Sequence, residues 1–360
     1  MINLSCKKRI AIYKPFGIGD SLFALVISSL IKHQHPECHI TYIGTAYPKE
    51  LLSAHYSIDD YFVMRNEQKM TARSFKKLNL DMIIFAKSDR QAMKAAKQAK
   101  IPTRVGFGDK VYTFFYCNYF SGFFKTKKIR HNSHRLLHDY LLYQVINRKS
   151  RFNRTQIIEK ITYRNHLSHA DFGLYHNKFK LIIHPGAQSA QFRNWTAWQY
   201  HELIQSLDRE KFQVILTGNK NEQLLCQRIK QGSSADLTDF SGQLDLRQFK
   251  RLISQCDGLV AASTGPLHLA AFMGKNTLGI YPSNHKDGSS AWGPVGKNAI
   301  AISLDKHCNS PCNRAVSQCA CVAAIAVNEV KKIVLSWADN SEISLHQSTS
   351  KLWISRQDLR

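Results

Sequence analysis

The sequence predicts an α/β protein built from two doubly wound parallel sheets. Short β-branched or apolar runs alternate with helical patterns along most of the chain, an order that is typical of parallel strands joined by crossover helices. The 360 residues are too many for one ordinary core and suffice for two domains. A hydrophobic fraction of 44%, with 19 Phe, 14 Tyr and 5 Trp, can fill both cores. We therefore expect two globular domains.

The first half of the chain carries one series of alternating elements. Four segments are predicted to be strands and one a helix: strands over 9–13, 39–44, 81–86 and 103–108, and a helix over 20–32. The following segment, 109–178, is rich in aromatic and basic residues, with a helical pattern over 134–146. We place the domain boundary near its end, which gives an N-terminal domain over residues 1–175.

A second series of alternating elements follows. It consists of strands over 180–186, 212–219, 258–263 and 277–283 and helices over 197–208, 220–231, 245–255 and 266–273. These predict a C-terminal domain over residues 176–340 and leave 341–360 as a tail. Open parallel sheets bind ligands at the carboxyl ends of their strands, so two such ends facing each other would form a cleft for two substrates.

The chain is strongly basic, with a formal net charge of +24. Residues 1–180 hold 31 Lys and Arg against 12 Asp and Glu, whereas residues 181–360 hold 19 against 14. The excess of +19 in the first half attracts an anionic partner, which can be nucleic acid, a phospholipid surface or an acidic substrate. Charge alone does not choose among these three.

Targeting signals and disulfides are not indicated by the sequence. The N-terminus lacks the apolar run of a signal peptide, and no apolar stretch reaches the roughly 18 residues that span a bilayer. The nine Cys are an odd number and do not resemble a secreted disulfide framework. We expect reduced thiols and a cytoplasmic protein.

The segment "KPFGIGD", Lys14 to Asp20, follows the first predicted strand. Gly17 and Gly19 supply a G-x-G pattern, and free backbone N–H groups at a helix start can meet an anion. Leu22 stands where a dinucleotide fingerprint needs a third Gly, which disfavours NAD. Asp20 is predicted to begin the helix. It is either a structural N-cap or a general base within reach of an acceptor hydroxyl, and the two roles are compatible.

Three motifs in the second half are candidates for binding a phosphorylated ligand. Arg193 lies in a loop before a helix, where it either binds phosphate or is a solvated charge. Gly218 and Glu222 lie at a strand-to-helix turn, where the carboxylate either accepts hydrogen bonds from a ribose or is an exposed residue at a helix start.

The third motif is "STGPLH", which follows another predicted buried strand. Ser263, Thr264, Gly265 and His268 either perform ordinary helix capping or converge on a diphosphate. The chain has no Asp-x-Asp pair of the kind that holds a divalent ion on a nucleotide diphosphate. A metal-free reaction would need cations and a helix N-terminus, which Arg193 and this turn supply.

Four cysteines are clustered near the end of the second domain: Cys308, Cys312, Cys319 and Cys321. Their number matches a tetrahedral zinc site, but their spacing fits no common zinc pattern. The alternative is a set of small buried thiols.

Taken together, several segments resemble glycosyltransferase family 9, the bacterial heptosyltransferases of lipopolysaccharide synthesis. The similarity covers about residues 9–335 and is carried by "GIGDSLFALVISSL", "LIIHPGA", "RNWT", "VILTGNKNE", "DFSGQLDLRQFKRLISQCDGLVAASTGPLHLAA" and "GIYPS". The resemblance implies a GT-B architecture of two Rossmann-like domains, with the acceptor on the first and the nucleotide sugar on the second. It also implies an inverting transfer from ADP-heptose that needs no metal or other cofactor.

The resemblance assigns roles to individual residues. Asp20 of "GIGD" matches the catalytic base, and Arg193 of "RNWT" matches the basic residue at the donor phosphate. Thr264, Gly265 and His268 match the donor-binding turn, and Lys14, Gly17 and Gly19 are then candidates for the acceptor loop. The basic first half would face an anionic lipid-linked saccharide at the inner membrane surface, where the protein would be peripheral.

The chain departs from the family pattern at Ser263, where most members carry Asp directly before Thr-Gly. This departure leaves three alternatives: transfer of another sugar, transfer onto protein or O-antigen, and a non-catalytic nucleotide-sugar binder. A nucleic-acid-binding protein would also suit the charge, but no recognised reader motif is present, so no nucleic-acid partner is expected.

Overall fold

A computed structural model of the protein describes most of the chain. The described residues are 2, 4, 8–64, 69–149, 151–163, 170–186, 193–233, 237–284, 286–304, 319–341 and 352–355, with the backbone alone at 129–132 and 352–355. The chain divides into two compact units between residues 165 and 166. Each unit holds one sheet.

Unit 1 is a six-stranded sheet in the order β3-β2-β1-β4-β5-β6, with all neighbouring strands parallel. Its strands are β1 (Arg9–Tyr13), β2 (His39–Gly44), β3 (Asp60–Val63), β4 (Met82–Phe85), β5 (Thr103–Gly106) and β6 (Tyr119–Phe120). Its helices are α1 (Ile18–Phe23), α2 (Leu25–Gln34), α3 (Lys49–Leu52), α4 (Ala72–Lys77), α5 (Arg90–Gln98), α6 (Val111–Tyr116), α7 (Phe123–Asn132), α8 (Arg135–Ile146) and α9 (Arg154–Ile161).

The central strands of unit 1 are apolar because helices cover them. Residues 10–13 of β1 and all of β4 are buried, as expected for parallel strands covered on both faces. Residues 25–31 of α2 are buried as well, including Ser28 and Ser29, since this helix packs against both α8 and α9. Ser28 Oγ lies 2.7 Å from Ser57 Oγ, so its buried hydroxyl is satisfied.

Unit 2 is a seven-stranded sheet in the order β13-β12-β11-β10-β7-β8-β9. Its strands are β7 (Phe179–His184), β8 (Phe212–Leu216), β9 (Thr238–Asp239), β10 (Gly258–Ala262), β11 (Asn276–Ile280), β12 (Ala299–Leu304) and β13 (Leu352–Ser355). Its helices are α10 (Ala197–Ser206), α11 (Gln223–Lys230), α12 (Leu246–Gln255), α13 (Gly265–Phe272), α14 (Ser289–Trp292), α15 (Ala320–Ala323) and α16 (Val327–Ala338). Trp195, fully buried in the core, donates its indole N–H to the carbonyl of Ile325 at 2.9 Å.

The last strand differs from the others in direction. β13 pairs antiparallel with β12, with Ala301 opposite Ser355 and Leu304 opposite Leu352. Residues 352–355 of the predicted tail are therefore part of the sheet of unit 2. None of the helices in the described segments is both long and apolar enough to cross a bilayer.

The sheet architecture confirms the predicted fold class, two Rossmann-like doubly wound units of the GT-B type. The predicted helix over 20–32 is instead two helices that meet at Ala24. The Ala24 N–H reaches back four residues to the Asp20 carbonyl at 3.4 Å, whereas the Ile27 N–H reaches back only three, to the Ala24 carbonyl at 3.0 Å. This change in the hydrogen-bond ladder separates α1 from α2.

Candidate functional site

The segment Lys14 to Gly17, here called the opening loop, leaves the carboxyl end of β1 and leads into α1. The Lys14 N–H donates to the carbonyl of Ile43 on β2 at 3.0 Å, and the Lys14 carbonyl accepts from the Tyr42 hydroxyl at 3.2 Å. The Phe16 carbonyl accepts from Thr45 Oγ1 at 3.1 Å. These bonds fix the loop against the neighbouring strand.

The Lys14 side chain points into the protein and pairs with Asp139 of α8. Both side chains are buried, and Lys14 Nζ donates to Asp139 Oδ2. Burial raises the pKa of Asp139 to about 6; the ammonium of Lys14 opposes this rise, and the negative charge of Asp20 adds to it. The opening loop is thus anchored to a helix 125 residues away in sequence.

Asp20 lies in the first turn of α1 and is half-buried. The prediction that the helix begins at Asp20 is wrong, and so is the alternative that Asp20 is its N-cap, because α1 starts at Ile18 and Gly17 is the N-cap residue, with no side-chain cap. The Ser21 N–H already bonds to the Gly17 carbonyl at 3.1 Å, which brings Ile18 and Gly19 into the helix. A carboxylate in this first turn interacts favourably with the helix dipole.

Gly17 has room around it that the fold does not use. A Cβ placed on Gly17 would meet no atom within 4 Å, and its φ of −70° suits any residue. A glycine is therefore not required here by backbone strain or by protein packing. The open space lies directly before the first turn of α1, where backbone N–H groups can bind an anion.

The second group of candidate residues follows adjacent strands of unit 2. β7 lies between β8 and β10, so the residues after these strands share one edge of the sheet. His184, the last residue of β7, lies in register with Ala261 of β10, and the Thr217 N–H bonds to the Ile183 carbonyl at 3.0 Å. The predicted residues Gly218, Ser263 and Thr264 are thereby placed at the same edge.

His184 was not among the predicted site residues, yet it is central to this edge. Its Nδ1 lies 3.0 Å from Thr217 Oγ1 and its Nε2 lies 3.8 Å from Glu222 Oε2. Burial lowers the pKa of His184, and the carboxylate of Glu222 partly offsets this effect. The signal in the sequence was a His directly before the Pro-Gly turn at a strand end.

Glu222 is buried, which overturns the alternative that it is an exposed residue at a helix start. Its Oε2 accepts from the backbone N–H of Asn219 at 2.8 Å, as part of a capping box on the 3₁₀ turn 220–222. A Cβ at Gly186 would clash with the carboxylate, and one at Gly218 would lie 3.2 Å from Glu222 Cβ. Both glycines therefore make space for Glu222.

The turn after β10 has an unused polar atom. Thr264 is the N-cap residue of α13, but its side chain accepts no capping hydrogen bond. Thr264 Oγ1 is buried and has no hydrogen-bond partner in the described part of the chain. His268 is buried in the first turn of the same helix. A buried hydroxyl without a partner beside a helix N-terminus suits a hydrogen-bonding anion.

Arg193 forms an ion pair with Asp287, with 3.0 Å between Arg193 Nη1 and Asp287 Oδ1. Both side chains are about one-fifth exposed, so Arg193 is not the solvated charge of the alternative interpretation. Asp287 lies in the segment between β11 and α14, and β11 is the neighbour of β10. No local pattern in the sequence points to this partner, which is 94 residues away.

The cysteine cluster is described only in part. Cys308 and Cys312 lie outside the described residues. Cys319 and Cys321 are partly buried thiols with their sulfur atoms 3.1 Å apart. Within the described segments, no three His, Cys, Asp or Glu side chains are grouped as metal ligands would be.

Comparison with known proteins assigns the chain to a family. The model of glycosyltransferase family 9 (heptosyltransferase) matches residues 71–323. The chain belongs to glycosyltransferase family 9. The matched range begins after the opening loop and does not include Asp20.

Relatives of this family 9 member are named as heptosyltransferases. Lipooligosaccharide heptosyltransferase 2 of Campylobacter jejuni serotype O:2 is 21% identical over 84% of this chain and 89% of the relative. Lipooligosaccharide heptosyltransferase 2 of Haemophilus ducreyi is 30% identical over 33% of this chain, and that alignment spans only 35% of the relative. The solved structure of Escherichia coli ADP-heptose lps heptosyltransferase II superposes with a TM-score of 0.71 at 16% identity, covering 92% of this chain and 99% of that one.

Proposed function

We propose that this family 9 glycosyltransferase moves heptose from ADP-heptose to an anionic inner-core lipopolysaccharide acceptor. The observation that carries the proposal is the alignment with the Campylobacter jejuni heptosyltransferase 2, which covers most of both chains. In this proposal, unit 2 binds the nucleotide sugar and unit 1, with its excess of positive charge, binds the acceptor. The reaction needs no metal ion.

Asp20 is the proposed general base. The acceptor hydroxyl attacks the anomeric carbon from the face opposite the diphosphate, a new C–O bond forms, and the bond to the diphosphate oxygen breaks. Asp20 takes the hydroxyl proton, and ADP leaves with the bonding electrons. The half-buried position of Asp20 beside the open space at Gly17 supports this role, since a base must be reachable by the acceptor.

The donor site is proposed at the shared edge of unit 2. Negative charge that develops on the leaving ADP is stabilised by Arg193 and by the first turn of α13. Thr264 Oγ1, which is buried and unpaired within the described structure, supplies a further donor to a diphosphate oxygen. Glu222 holds the turn at Gly218 and accepts from the nucleotide ribose, while His184 stays neutral beside it.

A direct test compares Asp20→Asn with the wild-type protein. We expect the rate of transfer from ADP-heptose to fall at least 100-fold, within the range that a general base contributes. Mass spectrometry of the acceptor measures this rate. The affinity for ADP, measured by calorimetry, should be the same in the variant and the wild type. Asp60→Asn is a matched control on the same unit, because its carboxylate is 61% exposed at the edge strand β3. Normal turnover by a folded Asp20→Asn protein would overturn the role of Asp20.

Calorimetric titration also distinguishes ADP-heptose from other nucleotide-sugar donors. ADP, ADP-heptose, UDP-glucose and GDP-mannose are each titrated with and without EDTA. Selective binding of the adenine nucleotides that EDTA does not affect supports the proposal. Ser263 favours a second candidate, transfer of another sugar, because no carboxylate stands there. Preference for UDP-glucose or GDP-mannose would select it. Binding without any transfer would indicate a non-catalytic binder.

A further inference from the structure

A group of large apolar side chains is exposed at one end of unit 1. We call it the aromatic patch, and it lies on α6, β6 and the first turn of α7. The exposed fractions are 84% for Phe124, 73% for Val111 and 65% for Phe115. The other members are between 37% and 47% exposed: Phe114, Tyr119, Phe120 and Phe123. Seven such side chains within 14 residues are far more than scattered surface apolar residues.

The fold itself holds the aromatic patch outward, because small polar residues occupy the inner positions of the same segment. Thr113, Ser121 and Thr126 are buried. Ser121 Oγ and Thr126 Oγ1 are hydrogen-bonded to each other, and Thr126 Oγ1 also donates to the Gly122 carbonyl at 2.8 Å. The usual arrangement of apolar residues inside and polar residues outside is therefore inverted here.

Contacts within the aromatic patch keep the rings together. The rings of Phe114 and Phe120 pack edge to face with centroids 4.6 Å apart, and those of Phe123 and Phe124 with centroids 5.5 Å apart. These are the separations at which aromatic pairs attract each other. The rings consequently form two supported pairs on the surface.

Positive charge accompanies the aromatic patch. Residues 110–128 contain four lysines and no Asp or Glu. All four are exposed: Lys110, Lys125, Lys127 and Lys128. An apolar group bordered by lysines matches the interface of a bilayer, where rings enter the headgroup region and ammonium groups meet anionic phospholipids.

We propose that the aromatic patch docks the protein on a membrane that contains anionic phospholipids. The choice of partner rests on the proposed function, in which the acceptor is lipid-linked, while the location rests on the exposed rings and lysines. A second copy of this chain is disfavoured as the occupant, because two patches of the same charge would repel each other. Docking here would hold the enzyme on the surface that carries its acceptor.

The test is co-sedimentation with vesicles that lack any saccharide acceptor. The vesicles are made of phosphatidylcholine alone or of phosphatidylcholine with about 30% phosphatidylglycerol, which supplies the anionic headgroups. We expect binding to the anionic vesicles that weakens as salt rises. The double variant F115S/F124S should bind at least about tenfold more weakly. Trp198→Ser is the matched control, since Trp198 is a 67% exposed aromatic side chain on α10 of unit 2.

A second variant, K127Q/K128Q, tests the charge separately. It should lose the preference for anionic vesicles and keep the aromatic contribution. Equal binding of F115S/F124S and wild type, or binding that Trp198→Ser weakens to the same extent, would overturn the proposal. Dimerisation that F115S/F124S abolishes, without vesicle binding by wild type, would instead assign the patch to self-association and also overturn it.

This result is independent of the transfer reaction. The vesicles contain neither acceptor nor nucleotide sugar, so failure of the proposed function would leave vesicle binding intact. Transfer to a soluble deacylated acceptor, in turn, should be unchanged in F115S/F124S. That assay also shows that the variant is folded.

Discussion

At the scale of single residues, substitution of Gly17 can test binding without disturbing the fold. Its backbone does not need glycine, and a Cβ would meet no protein atom within 4 Å. We therefore expect Gly17→Ala to keep the thermal stability of the wild type. The added methyl group would instead enter the space that the acceptor occupies in the proposed function, and misplaced methyl groups cost about 1–3 kcal/mol.

The expected result for Gly17→Ala is a KM for the acceptor that rises by roughly tenfold, with ADP affinity unchanged. Steady-state transfer assays and calorimetry measure the two quantities. Gly122→Ala serves as the control, because a Cβ there also meets nothing within 4 Å but lies outside the opening loop. An unchanged KM would show that the space at Gly17 is not part of the acceptor site.

His184 makes stability depend on pH. Burial lowers its pKa below 6.5 in the folded state, so below that pH the unfolded chain binds more protons than the folded chain. The contribution of His184 is therefore present above pH 6.5 and is lost as pH falls, by up to about 1.4 kcal/mol per unit. Asp139 acts in the opposite sense, since its raised pKa adds stability as pH falls through about 6.

Comparison of wild type with His184→Gln isolates this contribution, because the effect of Asp139 is common to both proteins. The stability advantage of the wild type over the variant should shrink as pH falls from 8 to 5. Urea unfolding at four pH values, monitored by a probe in unit 2, measures it. An advantage that stays constant across this range would contradict the assignment.

Several residues of the candidate site could be predicted from the sequence because they stand at strand ends. Gly218, Ser263 and Thr264 all follow runs that are recognisably strands, and parallel strands place their carboxyl ends together. Partners distant in sequence could not be predicted. Asp287, which pairs with Arg193, is fixed only by the packing of the whole unit, and no local pattern encodes that meeting.

At the scale of elements, the strands at the centre of each sheet were predictable, whereas β12 and the edge strands β3, β6, β9 and β13 were not. β1, β4, β7 and β10 are apolar runs flanked by turn residues, and each was predicted to within two residues at the strand start. β6 and β9 have two residues each, too few for any periodicity to appear. The break at Ala24 also lacks a signal, because neither Gly nor Pro stands there.

The strand β13 leads to a prediction about the edge of unit 2. It covers the backbone of β12, and an uncovered edge strand tends to pair with another chain. Deletion of residues 352–360 should therefore produce concentration-dependent self-association, measured by light scattering during gel filtration. Deletion of 356–360 alone is the control, because it leaves β13 in place. A monomeric 352–360 deletion would show that β13 does not protect this edge.

At the scale of the whole molecule, the division of charge is the feature that composition predicts best. The first 180 residues carry +19 of the +24, and most of the first half belongs to unit 1. In the proposed function this charge binds the anionic acceptor, a role that composition alone does not assign. The two-unit architecture was likewise predictable from chain length and alternating elements.

The bond between Lys14 and Asp139 also bears on how the protein is made. The opening loop emerges from the ribosome early, but its buried ammonium has no carboxylate to meet until α8 has been synthesised and has docked. Contacts so distant in sequence form late, since a long loop must close first. The chain can therefore form the central strands of unit 1 before α8 arrives to complete the anchoring of the opening loop.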